Sequence, residues 1–174
     1  EGDAVLAATL VAREGALAPA QVEDVYRGRV RLRGHALADT LVSHSGRRDA
    51  GAMAMIRSVR IAAHPERRGE GLASALVEHV HARYAPDLFG TLFGATPALL
   101  RFRRRHGYAL VRVGSARGVR TGEPTAVMVR PVSPAAAAMV EALRAALARD
   151  LEAQLAMTRD ELPLDPTLRE ALFE

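Results

Sequence analysis

The 174-residue sequence contains no cysteine, no lysine and no tryptophan, and aromatic residues make up only 4% of it. Without cysteine the chain can form neither a disulfide nor a thiolate metal site, and it has no cysteine nucleophile. No uninterrupted apolar segment approaches the length of a membrane span, and no charged-then-apolar leader stands at the start. These absences favour a cytoplasmic protein with no membrane partner.

The missing lysine means that all 24 basic residues are arginines, and their distribution is uneven. Residues 1–132 contain 20 arginines and 12 acidic residues, whereas residues 133–174 contain 4 arginines and 8 acidic residues. A basic body with an acidic tail predicts a polyanionic ligand on the body. An arginine- and alanine-biased genome would explain the absence of lysine equally well.

The order of the predicted elements indicates an α/β domain. Apolar runs with strand-like length occur at 4–12, 53–64, 87–95, 108–115 and 124–132, and the last two read as an antiparallel pair. One helical pattern begins at Pro19, and others cover 36–46, 71–85, 96–107 and 133–156. The segment "RRDAGA" (47–52) reads as a polar loop. We expect a mixed sheet with helices on both faces. Residues 1–132 form the predicted core, 133–156 a long helix packed on it, and 157–174 a tail or the start of a further region.

The stretch "VRIAAHPERRGEGLASAL" (59–76) carries the main functional signal. A strand ends before Pro65, a basic turn with Gly69 and Gly71 follows, and a helix then begins. The first turn of a helix presents unpaired N–H groups, and glycine lets a ligand approach the backbone closely, so this pattern is typical of a diphosphate site. The Gly-Lys-Ser/Thr ending of nucleotide hydrolases is missing. An ordinary strand-to-helix connection is the alternative.

Within this stretch Arg68-x-x-Gly71-x-Ala73 resembles the signature of the GNAT acetyltransferases, and "LLRFRRRHGY" resembles the helix that follows in that family. The resemblance implies the GNAT (acyl-CoA N-acyltransferase) fold, a mixed and mostly antiparallel sheet flanked by helices, here with a long C-terminal helix. It also implies acetyl-CoA as cofactor, with its pyrophosphate in the turn and its pantetheine arm along the exposed backbone of the preceding strand.

A longer resemblance covers roughly residues 20–166, including "RGHALADTLVSH" and "FGATPALLRFRRRHGYALVRVGSARG". It is to the acetyltransferase module of the bacterial tRNA(Met) cytidine acetyltransferases, and it implies N4-acetylation of a tRNA cytidine. That family carries an upstream ATP-driven, helicase-like module that nothing here resembles. We therefore expect either a natural N-terminus upstream of Glu1 or a short homologue without that module. By the resemblance the residues that contact acetyl-CoA are Ile61, Ala62, Ala63, Arg67, Arg68, Gly69, Glu70, Gly71, Leu72, Ala73, Ser74 and Arg105.

The chain departs from both families at positions that bear on the chemistry. The cytidine acetyltransferases have an acidic residue where this chain has Ala98. The wider GNAT group often has a thiolate-protonating Tyr where this chain has Arg103, and the nearest phenol is Tyr108. The ionisable residues near the turn are Glu70 and His64, and the sequence assigns neither as the catalytic base. His79 and His81 fall on different faces of their helix, so we predict no metal site.

Two groups of arginines are candidates for contact with substrate or RNA. Arg27, Arg29, Arg31 and Arg33 would share one face of the chain if the segment were extended, and Arg101 and Arg103 belong to the predicted helix at 96–107. A solvated arginine-rich surface is the alternative for both groups. A stand-alone acetyltransferase for a small amine or a protein, and a non-catalytic module that binds acetyl-CoA or RNA, remain open as functions. The oligomeric state is also open.

Overall fold

In the computed structural model, which describes residues 4–118, 122–157 and 164–174, the described residues form a five-stranded sheet in the order β1-β2-β3-β5-β4. β2 and β3 run parallel, and every other neighbouring pair is antiparallel. The sheet is thus mixed and mostly antiparallel, as the sequence predicted. The strands are β1 Ala7–Gly15, β2 Ala54–Ala63, β3 Leu88–Gly94, β4 Ala109–Arg117 and β5 Pro124–Pro131.

Seven helices lie in the described part of the chain, and some of them begin at a side-chain N-cap. Thr96 Oγ1 accepts a hydrogen bond from the Leu99 N–H, and Ser133 Oγ accepts one from the Ala136 N–H, so both residues act as N-caps. The helices are α1 Pro19–Tyr26, α2 Ala36–Asp39 (continued by a π-helical turn, Thr40–His44), α3 Arg48–Ala52, α4 Leu72–Arg83, α5 Pro97–Arg105, α6 Pro134–Met157 and α7 Pro166–Phe173. None of these helices is both long enough and apolar enough to cross a membrane.

Helices cover both faces of the sheet, as expected. On one face α1, α2 and α3 pack with the start of α6 around a cluster that includes Leu37, Leu88 and Met139. On the other face α4, α5, α7 and the end of α6 enclose a second cluster around Phe89 and Leu100. The long α6 contributes to both clusters. Its buried residues near the start pack in the first cluster, and those near the end pack in the second.

The structure adds detail at three places where the sequence was ambiguous or misleading. Residues 27–29 and 33–34 form turns or bends, so the arginines at 27–33 do not lie on an extended strand, and residues 48–52 of the predicted polar loop are helical (α3). Residues 166–173 belong to a packed helix, α7, in which Leu168, Ala171 and Leu172 are buried, so this part of the predicted tail belongs to the fold. The Asp165 carboxylate caps α7 by accepting hydrogen bonds from two backbone N–H groups. Part of the predicted turn between β4 and β5, residues 119–121, lies outside the described residues.

Candidate functional site: a splayed strand pair and a glycine turn

β2 and β3 run side by side over only four residue pairs, Met55–Leu88 to Ser58–Thr91. Both strands then continue, β2 to Ala63 and β3 to Gly94, without pairing with each other. On its other edge β2 stays paired with β1, except that Val59 is skipped between the Ser58 and Arg60 pairs, which is a β-bulge. A bulge bends its strand and increases the local twist. The result is a V-shaped opening, which we call the splay, with residues 59–63 of β2 along one side.

Ser58 and Thr91, the last residues to pair, form the apex of the splay. Thr91 Oγ1 donates a hydrogen bond to the Ser58 carbonyl oxygen at 3.2 Å. Ser58 Oγ accepts a hydrogen bond from Arg103 Nη2 at 3.0 Å, which ties α5 to the apex. Arg103 is 5% exposed and Thr91 is 2% exposed, so the apex is closed to solvent on the side of α5.

The glycine turn lies at the outer end of β2. A short 3₁₀ turn, Pro65–Arg67, leads to Gly69 and Gly71, whose φ angles of +88° and +81° lie in the left-handed region that favours glycine. A Cβ atom added to either residue would meet nothing within 4 Å, so the space over the turn is open. The first helical hydrogen bond of α4 runs from the Ala75 N–H to the Gly71 carbonyl. The N–H groups of Leu72 to Ser74 precede it, so they have no carbonyl of the helix to donate to.

A hydrogen bond joins the first turn of α4 to the end of α5. Ser74 Oγ and His106 Nε2 lie 3.1 Å apart, and burial lowers the pKa of His106. Arg105, which is exposed, immediately precedes His106. The structure therefore brings together the strand residues 61–63, the turn 67–74 and the helix end that carries Arg105, the three parts of the chain that the sequence assigned to cofactor binding.

The two ionisable residues considered for catalysis lie at the outer end of β2, away from the apex. His64 is exposed, six residues beyond Ser58, which corresponds to about 20 Å of extended strand. Glu70 accepts a hydrogen bond from Arg67 Nε at 2.6 Å, and this contact lowers the pKa of Glu70. A carboxylate with a lowered pKa is a poor proton acceptor at neutral pH.

An uncharged polar pair lies beside the apex on the same face of the sheet. His81 Nε2 and Tyr108 Oη are 3.1 Å apart, and the His81 ring packs on Phe89 with ring centroids separated by 4.6 Å. Burial, with the positive charge of Arg130 next in importance, lowers the pKa of His81 to about 4. Burial also raises the pKa of Tyr108. Both side chains are therefore neutral at physiological pH.

The candidate RNA arginines are not equivalent in the structure. Arg27, Arg29 and Arg31 each form an ion pair with a carboxylate, on Glu23, Asp24 and Asp39 respectively. Arg33 is exposed and has no carboxylate partner among the described residues. On α5, Arg101 is exposed and lies 3.6 Å from Glu174, whereas Arg103 is buried.

Sequence reasoning missed the apex residues and the role of His106. Ser58 and Thr91 sit in apolar runs with nothing local to mark where two strands part. His106 stands at the end of a helix, and no local pattern in the sequence indicates its contact with Ser74. The burial of Arg103 did leave a signal, since Arg103 follows the fully buried Leu100 by three residues and so shares its helix face.

Comparison with solved structures shows that the fold is the GNAT acyltransferase fold, as the sequence predicted. The polyamine N-acetyltransferase of Drosophila melanogaster aligns with 72% of this chain and 69% of its own, with a TM-score of 0.52 and 16% identity. An agmatine N-acetyltransferase aligns with 73% of this chain and 71% of its own, also with a TM-score of 0.52 and 16% identity. No family model matches the chain.

Sequence comparison confirms the predicted resemblance to tRNA(Met) cytidine acetyltransferases. The chain is 37% identical to TmcA of Yersinia pestis over 151 residues, which are 85% of this chain and 22% of that protein. It is 39% identical to TmcA of Haloferax volcanii over 133 residues (75% and 18%), and 31% identical to TmcA of a Thermococcus species over 173 residues (98% and 21%). The chain spans about a fifth of the length of the curated relatives it matches.

Proposed function

We propose that this chain is an acetyl-CoA-dependent N-acetyltransferase domain in which the splay and the glycine turn together hold the acetyl donor. The observation that carries the proposal is the combination of two features on one strand. β2 offers five residues of backbone that β3 does not pair, and it leads directly into an open turn with two left-handed glycines.

The residues along this path fit a long, phosphorylated thioester. The N–H groups of Leu72 to Ser74 and the charges of Arg68 and Arg105 suit the pyrophosphate, because a helix N-terminus and guanidinium groups both favour phosphate. The edge of Ile61 to Ala63 that faces away from β1, which β3 does not pair, suits an arm that carries amide groups. When bound, the donor supplies an acetyl group activated as a thioester, and the protein has to hold it, exclude water and orient the acceptor.

We further propose that the acceptor is the N4 amino group of a tRNA cytidine. The support is the name shared by the relatives, together with the surplus of arginine over acidic residues in residues 1–132. The lone pair of this nitrogen is delocalised into the ring, so close positioning and removal of the proton contribute more than they would for an alkyl amine. Glu70 and His64 are given no part in that step because they lie at the outer end of β2.

The direct test is to incubate the purified chain with isotopically labelled acetyl-CoA and unmodified elongator methionine tRNA. Nucleosides released from the tRNA are then analysed by mass spectrometry. We expect labelled N4-acetylcytidine, none with Gly71→Asp, and normal yield with Gly46→Asp, a matched control with a left-handed glycine in an open loop (φ +67°). A parallel reaction with agmatine and spermidine tests the small-amine alternative.

Three results would contradict the proposal in different ways. If agmatine or spermidine is labelled and tRNA is not, the chain is an acetyltransferase but tRNA is not its acceptor. The upstream region of a full-length relative can also be added as a separate protein. If the chain then binds acetyl-CoA but transfers the acetyl group to no acceptor, a non-catalytic module is favoured. If the chain does not bind acetyl-CoA, the assignment of the donor site to the splay and the glycine turn is contradicted.

A further inference from the structure

Arg103 is a buried cation without an anionic partner. It is 5% exposed, its Nη1 atom is buried with no hydrogen-bond partner, and its Nη2 atom donates to the neutral hydroxyl of Ser58. Its neighbours on α5 differ, because Arg101 and Arg104 both lie near the Glu174 carboxylate. No ion pair to Arg103 occurs among the residues that the structure describes. A charge removed from water and left unpaired destabilises a fold, so this arrangement needs a reason other than stability.

The surroundings of Arg103 reduce that penalty only in part. The Phe102 and Tyr108 rings lie 5.5 and 5.4 Å from its guanidinium carbon, close enough for cation–π attraction. Burial lowers the pKa of Arg103, with the Tyr108 hydroxyl opposing that shift, yet a guanidinium stays protonated at physiological pH. The charge therefore persists at the apex of the splay.

The position of Arg103 indicates which part of a bound acetyl donor would lie near it. The glycine turn, suited to phosphate, is at the outer end of β2, and Ser58 is at the inner end, where β2 and β3 part. A donor whose phosphates lie at the turn and whose arm follows β2 inward would bring its reactive end toward Ser58. The anion that meets Arg103 is then one that arises at the reactive end during the chemistry.

We propose that Arg103 is a catalytic residue that stabilises the negative charge that forms on the sulfur of CoA as the acetyl group leaves. This role rests on the proposed function. In the transfer the acceptor nitrogen bonds to the acetyl carbon, the carbon–sulfur bond breaks, and its electron pair stays on sulfur. The proton lost by the acceptor nitrogen passes to water. Arg103 acts through charge and not as an acid, because a guanidinium does not release its proton at neutral pH.

The role can be measured by binding alone, without an acceptor. Calorimetric titrations with CoA and with desulfo-CoA, which lacks the sulfur, are run between pH 7 and 9. A free thiol has a pKa of about 8.5, and a neighbouring cation lowers it. We expect the wild-type chain to prefer CoA increasingly as the pH rises, reaching about tenfold over desulfo-CoA, the size of one hydrogen bond to a charged group.

The variants separate a role in charge stabilisation from a structural one. Arg103→Met should bind desulfo-CoA as the wild type does, lose the preference for CoA, and be at least as stable as the wild type without ligand, because an unpaired buried charge has been removed. Arg103→Lys should keep part of the preference. Arg149→Met, on the exposed side of α6 and away from the splay, should behave as wild type.

The outcomes distinguish failure of this inference from failure of the proposed function. A wild-type chain that binds neither ligand overturns the proposed function. Equal affinity for CoA and desulfo-CoA at every pH, with both bound, overturns the role of Arg103 and leaves the donor site standing. An Arg103→Met variant that is less stable than wild type and weaker for both ligands to the same extent shows that Arg103 is structural, which also overturns the inference.

Discussion

Glu14 and Arg57 form an ion pair inside the molecule, across the paired strands β1 and β2, with the Glu14 side chain fully buried. The same carboxylate accepts a hydrogen bond from the Leu37 N–H at 2.7 Å. It therefore holds α2 against the sheet on the face opposite to Arg103. Since Arg57 immediately precedes Ser58, this pair also fixes the strand just before it reaches the apex of the splay.

Glu14→Gln should destabilise the fold by about 3 kcal/mol, because removal of one partner leaves the Arg57 charge buried and uncompensated. Urea denaturation measures the change in the free energy of unfolding. The double variant Glu14→Gln with Arg57→Met should recover much of the loss, since neither charge remains. If the double variant loses as much as the sum of the two single variants, the pair is not coupled and this interpretation fails.

His81 should make the fold sensitive to mild acid. Its pKa is about 4 in the folded protein, against an ordinary value of 6.5 in the unfolded chain, so between these values the unfolded state binds the proton more readily. Stability is then complete above about pH 6.5 and falls as the pH drops toward 4. Each pKa unit corresponds to about 1.4 kcal/mol, which partial exposure of the ring reduces.

The variant that tests this is His81→Gln, whose amide can still reach Tyr108 and does not titrate. Its free energy of unfolding should depend less on pH between 6.5 and 4 than that of the wild type. His79→Gln, two residues away on the exposed side of the same helix, is the matched control and should leave the pH dependence unchanged. A wild-type slope retained in His81→Gln would assign the effect to other groups.

The C-terminal helix α7 should contribute to stability through its cap. The Asp165 carboxylate accepts hydrogen bonds from the Thr167 hydroxyl and from the N–H groups of Thr167 and Leu168, and these bonds lower the pKa of Asp165. Asp165→Ala should cost about 1 kcal/mol, and the exposed Asp150→Ala on α6 much less. Equal losses from the two variants, measured by urea denaturation, would contradict a capping role.

Arg33 should contribute more to RNA binding than Arg27, since Arg27 is already paired with Glu23 and Arg33 has no carboxylate partner among the described residues. Binding of methionine tRNA is measured over a range of salt concentrations. Arg33→Gln should weaken binding and reduce the slope of log K against log salt by about 1, as expected for the loss of one phosphate contact. An unchanged slope in Arg33→Gln, with a reduced slope in Arg27→Gln, would reverse the assignment.

The parts of the fold that local signals determine could be predicted from the sequence. Thr96 and Gly107 bound α5 because a hydroxyl caps its start and a left-handed glycine follows its end. Asp165 followed by Pro166 is the same kind of start signal, and it marks the beginning of α7. The arginines at 27–33 do not lie on a strand, since the left-handed backbone of Gly28 turns the chain after Arg27 and that of Gly34 turns it again after Arg33.

The candidate site was predictable only at its outer end. The turn with Gly69 and Gly71 is a local pattern, so it could be read from consecutive residues. The splay depends on a bulge at Val59 and on where the pairing of β2 with β3 stops, and both are set by register between distant segments. The lack of a carboxylate beside Arg103 among the described residues likewise depends on which distant side chains the fold places at the apex.

The measurement that tests the central claim most directly is thermal unfolding with and without excess acetyl-CoA, on the wild-type chain and on Gly71→Asp and Gly46→Asp. A ligand at one hundred times its dissociation constant adds about 2.7 kcal/mol of stability, a rise in Tm of roughly 5 to 10 °C for a domain of this size. We predict that rise in the wild type and in Gly46→Asp and its absence in Gly71→Asp. No rise in a folded wild-type chain, or an equal rise in Gly71→Asp, would contradict the assignment of the acetyl donor to the glycine turn.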